Sequence, residues 1–283
     1  MTKEKESSQH TVINWRVVRT LALRDLTIVG RSKAMLLPMI VVPLIFVVAI
    51  PLGIGLFAPQ MAAAGESGDL GRFLEMMPAP MREAFSGYTE AQVIVVAITE
   101  HIFAPMFLII PLMVASTIAA GSFVGEKERG TLEALLHTPT TDMELFIGKL
   151  LSAWIPACIV GLGAFLIYTV VANVGAWHVM RRAYFPNATW IVLVIWVMPA
   201  AAGLGLGMIV LISSRVSTFQ EAYQIGGVVV VPVLLLVFGQ LAGVLYLNVV
   251  AVLALGAILW AVNAGIMWFG ARTFRRDEII AQL

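Results

Sequence analysis

Residues 124–149 read VGEKERGTLEALLHTPTTDMELFIGK and form a polar segment between two long apolar runs. This segment, called the connector below, contains five of the seventeen acidic residues of the chain. It is too short and too polar to cross a bilayer, because a spanning helix needs about 20 predominantly apolar residues. The pattern therefore predicts a chain that leaves the membrane here, contacts another protein and re-enters the membrane.

The composition places the whole chain among membrane proteins. Of its 283 residues 60% are hydrophobic and 12% are charged, and the mean hydropathy is +0.92. Soluble domains carry about 25% charged residues. A net charge of +1 gives no indication of a nucleic-acid partner. One cysteine, Cys158, and four scattered histidines exclude an intrachain disulfide and argue against a metal site.

Six apolar runs are long enough to cross a bilayer as helices. They are residues 34–57, 100–123, 150–176, 188–212, 223–245 and 248–270. Dense charge occurs only between these runs and at the ends of the chain. The pattern predicts an all-α membrane protein in which residues 34–271 form one six-helix transmembrane domain. A tail with a helix, residues 1–33, precedes this domain in the sequence, and a second tail, residues 272–283, follows it.

The basic residues predict the orientation of this domain. When the gaps between the runs are assigned to alternate sides, one side receives 14 lysines and arginines and the other receives 4, which together make the 18 present. The larger group includes the connector and both tails. Because cytoplasmic loops carry the excess of Lys and Arg, we expect both termini and the connector to be cytoplasmic. A multi-pass protein of the plasma membrane is expected.

Residues 11–32 have the pattern of an amphipathic helix that lies on the membrane. Arginines and threonines fall on one side at 100° per residue, and Trp15 and aliphatic residues fall on the other. A basic, Trp-bearing helix of this kind suits the headgroup region. Asp25 is an exception, since it projects from the apolar side. Its partner is expected either on the same helix or on the connector, where Arg129 is a candidate.

Two capping boxes predict where helices begin. Thr89 and Gln92 form the first, well before the second apolar run, and Thr141 and Glu144 form the second, before the third run. A helix from Thr89 to residue 123 would be about 50 Å long at 1.5 Å per residue. The apolar core of a bilayer is about 30 Å thick. This helix is therefore expected to project, to tilt strongly or to break near residues 99–101.

Four charged or titratable residues near the outer ends of the runs are candidate substrate contacts. Glu100 and His101 are either a solvated interfacial pair or an intramembrane site, which a buried carboxylate usually marks. Arg181 and Arg182 lie in the second outer loop among aromatic residues. They either snorkel within an aromatic belt or contact an anionic substrate.

Residues 131–137 of the connector can form two turns of helix before Pro139, which disfavours helix at the preceding residue. One face of these turns carries Leu132, Leu135 and Leu136. This apolar face is wide enough to dock on a partner protein or on the bilayer surface. The periodicity alone does not choose between the two.

The connector also carries a long, specific string of residues. It reads Glu126-x-Glu128-Arg129-Gly130-Thr131-Leu132-Glu133-x-Leu135-Leu136-x-x-Pro139, followed by Glu144-Leu145-x-x-Gly148-Lys149. This string resembles the signature of ABC-2 type transporter permeases. More narrowly, it is similar to the six-span branch that contains sodium-efflux and nitrous-oxide-reductase maturation permeases. The resemblance extends to the basic N-terminal helix, to the FQEA run at 219–222 and to the FRRDE run at 274–278.

The resemblance implies how such a protein is assembled. The connector would carry a coupling helix that sits in a groove of a separate cytosolic ATPase, and two permease subunits, identical or different, would pair with two ATPase subunits. ATP and Mg would be bound by that partner and no cofactor by this chain. The sequence has no G-x-x-x-x-G-K-[ST] loop of its own. The implied coupling residues are Glu126, Glu128, Arg129, Gly130, Thr131, Leu132, Glu133, Leu135 and Leu136.

The leading hypothesis is therefore a transport subunit of an ATP-driven exporter, without an ATPase site of its own. An ATP-independent channel or secondary carrier is the alternative, although carriers usually have charged residues at mid-span. A membrane hydrolase lacks a visible nucleophile–base pair. A role in copper-enzyme maturation would use Met76, Met77 and Met81 as soft ligands, but amphipathic lid packing explains these methionines better. The lack of mid-span charge favours a lipid-like or hydrophobic cargo over a bare ion.

Overall fold

The computed structural model describes residues 15–31, 33–64, 83, 85–130, 141–213, 215–242 and 244–273. All regular structure within these ranges is helical, which confirms the predicted all-α class. Six helices are long and apolar enough to cross a membrane, and we call them spans 1 to 6 in chain order. They are Met39–Ala64, Glu90–Glu128, Met143–Gly175, Ala188–Ile212, Phe219–Leu241 and Val249–Trp268.

The helices extend beyond the apolar runs where polar residues cap them. Span 2 begins at Glu90 rather than at residue 100 and ends at Glu128 rather than at residue 123. The helix of span 3 begins at Asp142, and that of span 6 continues to Thr273. The helix of span 1 begins before the span itself, at Lys33. A short helix, Trp177–Met180, lies between spans 3 and 4.

Both predicted capping boxes are confirmed. At the start of span 2 the Thr89 amide donates to Gln92 Oε1 (3.0 Å) and the Gln92 amide donates to Thr89 Oγ1 (3.4 Å). Before span 3 the same exchange joins Thr141 and Glu144 at 2.9 and 3.2 Å. These reciprocal bonds satisfy backbone donors that the first helical turn leaves free. We call the end of the bundle with Glu128 and Thr141 the connector end, and the end with Glu90 the far end.

Spans 2 and 4 form the centre of the bundle. In their most apolar windows 72% and 61% of the residues are buried, against 17–28% in the other four spans. The helices of spans 2 and 4 pack against each other, and both contact span 3. The remaining spans expose wide apolar faces, as the lipid-facing side of a membrane bundle requires.

Glycines let span 4 approach its neighbours closely. A Cβ on Gly205 would lie 2.5 Å from the Leu112 carbonyl oxygen of span 2. On the other side, a Cβ on Gly203 would lie 2.9 Å from Asn263 Nδ2, and one on Gly207 would lie 2.8 Å from Ile266 Cγ2. Small residues at such positions let two membrane helices pack backbone to side chain. The Gly203/Gly207 pair therefore serves packing.

Prolines explain three of the four π turns in the described residues. These turns are Ile45–Ala49, Ala97–Ile102 and Leu193–Val197, and they precede Pro51, Pro105 and Pro199. Each turn contains the residue four positions before its proline, whose carbonyl the ring would strike in a regular helix. The helix widens there instead. Span 2 accordingly does not break near residues 99–101 but passes through a π turn.

Side chains of neighbouring spans bind the carbonyls around Pro199. Membrane helices tolerate proline when such donors satisfy backbone groups that it frees. The three donors are Trp154 Nε1 to Pro199 O (2.9 Å), Trp260 Nε1 to Trp196 O (3.1 Å) and Asn263 Nδ2 to Ala200 O (2.7 Å). Span 4 is thus held to spans 3 and 6 at its most irregular point. The other amide atom of Asn263, Oδ1, is buried without a hydrogen-bond partner.

The N-terminal helix is Trp15–Arg31, and it packs against the helix of span 3. Val18 is buried, whereas Trp15 on the predicted apolar side is 64% exposed. The Thr20 and Thr27 hydroxyls donate to carbonyls of their own helix. Residues 11–14 and the side chain of Asp25 lie outside the described structure.

Candidate functional site

The implied coupling residues fall into two groups. Glu126, Glu128, Arg129 and Gly130 lie at the connector end of span 2 and are described by the structure. The other five lie outside the described residues; they are Thr131, Leu132, Glu133, Leu135 and Leu136.

Glu126 is a buried carboxylate that joins three helices. Its side chain forms ion pairs with Arg24 of the N-terminal helix and with Lys149 of span 3. Glu126 and Lys149 are each 1% exposed, whereas the Arg24 side chain is 38% exposed. Lys149 also donates to the Ser122 carbonyl and lies 5.2 Å from the centre of the Phe123 ring. Since buried charges are costly unless paired, these three residues must be placed together.

Glu128 is exposed and connects span 2 to span 5. Its Oε2 accepts a hydrogen bond from the backbone amide of Phe219 (2.7 Å), the first helical residue of span 5. Thr218 caps the same helix by accepting from the Glu221 amide (3.2 Å). A carboxylate at a helix N-terminus satisfies a free amide and opposes the positive end of the helix dipole.

Arg129 and Gly130 end the span 2 helix. The Arg129 guanidinium donates back to the carbonyl of Gly121 (3.3 Å). Gly130 has a φ of 67°, and its amide donates to the Lys127 carbonyl (3.1 Å). A left-handed residue after the last helical turn is the usual role of glycine at a helix C-terminus. The chain therefore turns sharply out of the helix where the connector continues.

Sequence reasoning selected Glu126 and Glu128 but missed Arg24 and Lys149 as site residues. Lys149 belongs to the string that resembles the family signature, but no role was predicted for it. Its position at the start of an apolar run could have indicated a buried, paired lysine. Arg24 was one of several arginines on the polar side of a helix, with nothing to distinguish it. Both pairings depend on tertiary packing.

At the far end, Glu100 lies half-buried on the π turn of span 2. Its Oε2 accepts a hydrogen bond from Asn187 Nδ2 (2.6 Å), and its backbone carbonyl accepts one from the indole of Trp190 (2.8 Å). Pro105, five residues later, has no N–H for that carbonyl in a π turn. The hydroxyl of Tyr168 donates to the adjacent Thr99 carbonyl (2.7 Å).

The loop before span 4 is held to span 3 by Asn173. Its amide nitrogen donates to the carbonyls of Thr169 (2.8 Å) and Phe185 (2.7 Å). Its amide oxygen accepts from the backbone amides of Tyr184 (2.9 Å) and Phe185 (3.3 Å). Burial raises the pKa of the Tyr184 phenol to about 12, and the charge of Glu100 acts in the same direction. The hydroxyl of Tyr184 lies 3.1 Å from Thr99 Oγ1.

His101 and Glu100 have different neighbours and do not form a pair. The His101 ring stacks on Tyr246 (centroids 5.8 Å apart) and meets Phe85 edge-on (5.7 Å). Its Nδ1 lies 3.3 Å from the Val96 carbonyl. Glu100 and His101 are thus both half-buried, each with its own contacts.

The arginines of this loop are exposed and separate from Glu100. Arg181 has a left-handed backbone, with a φ of 54°. Arg182 donates to the hydroxyl of Tyr88 (2.8 Å) and lies over its ring at 5.6 Å. Within the described residues Glu100 forms no ion pair, and no group of three His, Cys, Asp or Glu is arranged to hold a metal ion. Met76, Met77 and Met81 lie outside those residues.

A comparison with known protein families gave a match over most of the chain. The family model described as ABC-2 family transporter protein matches residues 19–266. The matched region begins in the N-terminal helix, before Arg24, and ends in span 6. A search of curated proteins found no match.

Proposed function

Because the chain belongs to the ABC-2 family of transporter proteins, we propose that it is the membrane-spanning subunit of an ATP-binding-cassette exporter. A separate cytosolic subunit, holding ATP and Mg, hydrolyses the nucleotide. The connector end faces the cytoplasm of a cell whose plasma membrane holds the complex, in line with the 14-to-4 division of basic residues. The observation that carries the proposal is buried Glu126, which ties the start of the connector to two other helices.

At the connector end, the ion pairs of Glu126 are stronger than the hydrogen bond of Glu128. This difference determines which helices can move relative to each other. Separating a buried ion pair costs several kcal/mol, about 3–5 for loss of one partner. The N-terminal helix, span 2 and span 3 therefore move together through Glu126. The hydrogen bond between Glu128 and the Phe219 amide is exposed, and a typical bond of this kind contributes only about 0.5–1.5 kcal/mol. Span 5 is the element that separates from this unit when the ATPase subunits pull on the connector.

Such a motion transports cargo only if the two arrangements differ in their contacts. ATP binding can shift the equilibrium between the two arrangements only by the difference in the free energy with which ATP binds to each of them. In the proposed complex a second permease subunit, identical or different, covers part of the exposed apolar surface of the spans, and membrane lipid covers the rest. The path for cargo lies between the two permease subunits.

The test is carried out on the complex purified through a tag on this chain from its own cells. We expect an ATPase subunit to co-purify and to hydrolyse ATP. Leu132→Ala and Glu128→Ala are expected to lower both its recovery and its cargo-stimulated hydrolysis several-fold. Glu90→Ala, at the far end of the same span, is the matched control. Unchanged recovery and hydrolysis in both connector variants would refute the coupling roles, and a complex without any ATPase would favour a channel or secondary carrier.

A further inference from the structure

Glu100 holds a carboxylate whose hydrogen bonding is incomplete. One oxygen accepts from the Asn187 amide, and among the described residues no donor reaches the other oxygen. The side chain is half-buried in a helix that is long and apolar enough to cross the membrane. Ionisable groups in such helices are rare and mark ligand or ion pathways. This oxygen can accept a hydrogen bond from a donor outside the described residues.

Arg182 does not fill this role. It forms no ion pair with Glu100 within 4 Å. Its guanidinium is instead bound to the hydroxyl and the ring face of Tyr88. Arg181 is exposed, and His101 is held between Phe85 and Tyr246. The carboxyl group of Glu100 is therefore left without a contacting cation among the described residues.

Two tyrosines contact the residues on either side of Glu100. Tyr184 reaches the adjacent Thr99 hydroxyl, and Tyr246 stacks on His101, the next residue in the chain. Burial raises the pKa of Tyr246, and the charge of Glu100 adds to the increase, as it does for Tyr184. Span 2, the loop before span 4 and the loop before span 6 each supply one side of the site.

We propose that Glu100, together with Tyr184 and Tyr246, binds the ammonium group of an amphiphilic organic cation. The open carboxylate oxygen pairs with the positive charge, and aromatic rings attract such cations through their faces. The apolar part of the ligand lies along the exposed faces of the neighbouring spans. This inference rests on the proposed transport function, since it names the class of cargo.

The chemistry of the site excludes the simpler cations. Ca²⁺ takes six to eight oxygen ligands, usually with several carboxylates, whereas Glu100 is a single carboxylate beside one amide. Softer metals require His or Cys ligands, and the described residues contain no such cluster. A bare monovalent ion would gain nothing specific from tyrosine rings. An alkylated or primary ammonium matches both the single charge and the aromatic surroundings.

The experiment uses the purified chain, without the ATPase subunit, in nanodiscs of phosphatidylglycerol. Hexyltrimethylammonium is titrated by calorimetry against its uncharged carbon isostere, and the heat measured with empty nanodiscs is subtracted because the anionic lipid itself attracts organic cations. We expect saturable binding of the ammonium compound only. Glu100→Gln keeps a side-chain oxygen that can accept the hydrogen bond from Asn187, but it removes the carboxylate. This variant is expected to weaken binding at least tenfold. Glu90→Gln, an exposed glutamate of the same helix, is the matched control and is expected to bind like the unchanged chain.

A second pair of variants tests the aromatic contribution. Tyr246→Leu is expected to weaken binding several-fold, and Tyr246→Phe is expected to retain it. Equal binding by Glu100→Gln and the unchanged chain would overturn the proposal, as would equal loss in Glu90→Gln or saturation by Na⁺ at the same concentration. Because no ATPase is present, these outcomes are independent of the coupling proposal.

Two sources could supply the ammonium group, and the lipid composition distinguishes them. If the ligand is a lipid headgroup, adding phosphatidylethanolamine or phosphatidylcholine to the nanodiscs will compete with hexyltrimethylammonium. If the ligand is a free organic cation, these lipids will leave the titration unchanged. Either result supports the ammonium site, provided that Glu100→Gln abolishes most of the binding.

Discussion

Glu126 is 1% exposed, so water cannot solvate its carboxylate, and the ion pairs with Arg24 and Lys149 stabilise the charge instead. We predict that Glu126→Gln lowers the free energy of unfolding by about 3–5 kcal/mol, since it removes the negative charge from the buried ion pair with Lys149. Thermal unfolding in detergent measures the loss. In the double variant Glu126→Gln, Lys149→Met the cost is expected to be smaller than the sum of the two single costs.

Glu128→Gln is the control for that measurement. Glu128 is exposed and retains a hydrogen-bonding oxygen as glutamine, so its effect on unfolding is expected to be much smaller. Equal losses from the two substitutions would mean that the Glu126 ion pairs do not hold the helices together.

Asn173 is the residue on which the loop before span 4 depends. It makes four hydrogen bonds, three of which reach the backbone of Tyr184 and Phe185. We predict that Asn173→Ala releases this loop, because each buried partner left unsatisfied costs about 1–3 kcal/mol. Hydrogen exchange of residues 181–187 is expected to accelerate strongly. Asn248→Ala, which removes the cap of span 6 (2.8 Å to the Ala251 amide), is expected to leave that exchange unchanged.

At the residue scale, local patterns were predictable and distant pairings were not. Thr89 with Gln92 and Thr141 with Glu144 are three residues apart, so the sequence contains both partners of each capping box. Arg24 and Glu126 are 102 residues apart. Any of several arginines could have met Glu126, and the packing of the N-terminal helix on span 3 decides which one does.

At the scale of single helices, the close contact of span 4 with span 6 makes a defined prediction. Gly203→Ala is expected to lower the free energy of unfolding by about 1–3 kcal/mol, as overpacking does, because its Cβ would lie 2.9 Å from Asn263 Nδ2. Shortening the opposing side chain by Asn263→Ala is expected to recover part of this loss. The measurement is thermal unfolding of the two single variants and the double variant.

Gly265→Ala provides the matched comparison within span 6. A Cβ at Gly265 would meet no heavy atom within 4 Å, so no loss of stability is expected. A similar loss at Gly203 and Gly265 would contradict the packing interpretation. The outcome separates steric crowding from the general effect of adding a methyl group to a membrane helix.

Helix number was predictable because length and apolarity suffice for it, whereas helix shape was not. The excess length of span 2 indicated some irregularity near residues 99–101. A period of 3.6 residues cannot show whether proline kinks, breaks or widens a helix, because that depends on which donors reach the freed carbonyls. Here the Trp190 indole reaches the Glu100 carbonyl, which Pro105 leaves without an N–H.

For the whole molecule, the proposed orientation predicts which residues face outwards. In a chain whose single cysteine is removed by Cys158→Ser, Arg181→Cys is expected to react with a membrane-impermeant maleimide in intact cells. Arg215→Cys, exposed at the connector end, is expected to react only after permeabilisation, because cytoplasmic loops carry the basic excess. The opposite pattern would reverse the proposed orientation.

The centre of the bundle could not be predicted from hydropathy. Span 1 has the most apolar window, with a mean hydropathy of 2.8, yet only 17% of it is buried; span 2 has 2.3 and is 72% buried. Lipid tails are as apolar as the side chains that face them, so apolarity does not separate core from surface in a membrane. Small residues at contact points carry the information instead, as Gly203, Gly205 and Gly207 do.

The π turns have a consequence for how the length of this chain can vary. Each π turn accommodates one residue more than a regular helical turn, closing its hydrogen bonds at i+5 instead of i+4. Deleting one residue inside the fourth turn, Ala120–Val124, which no proline follows closely, would convert it to regular helix and leave both flanking faces in register. The same deletion elsewhere in span 2 would rotate everything beyond it by about 100° at 3.6 residues per turn. Relatives of this chain that differ by one residue within a span are therefore expected to differ at these four turns.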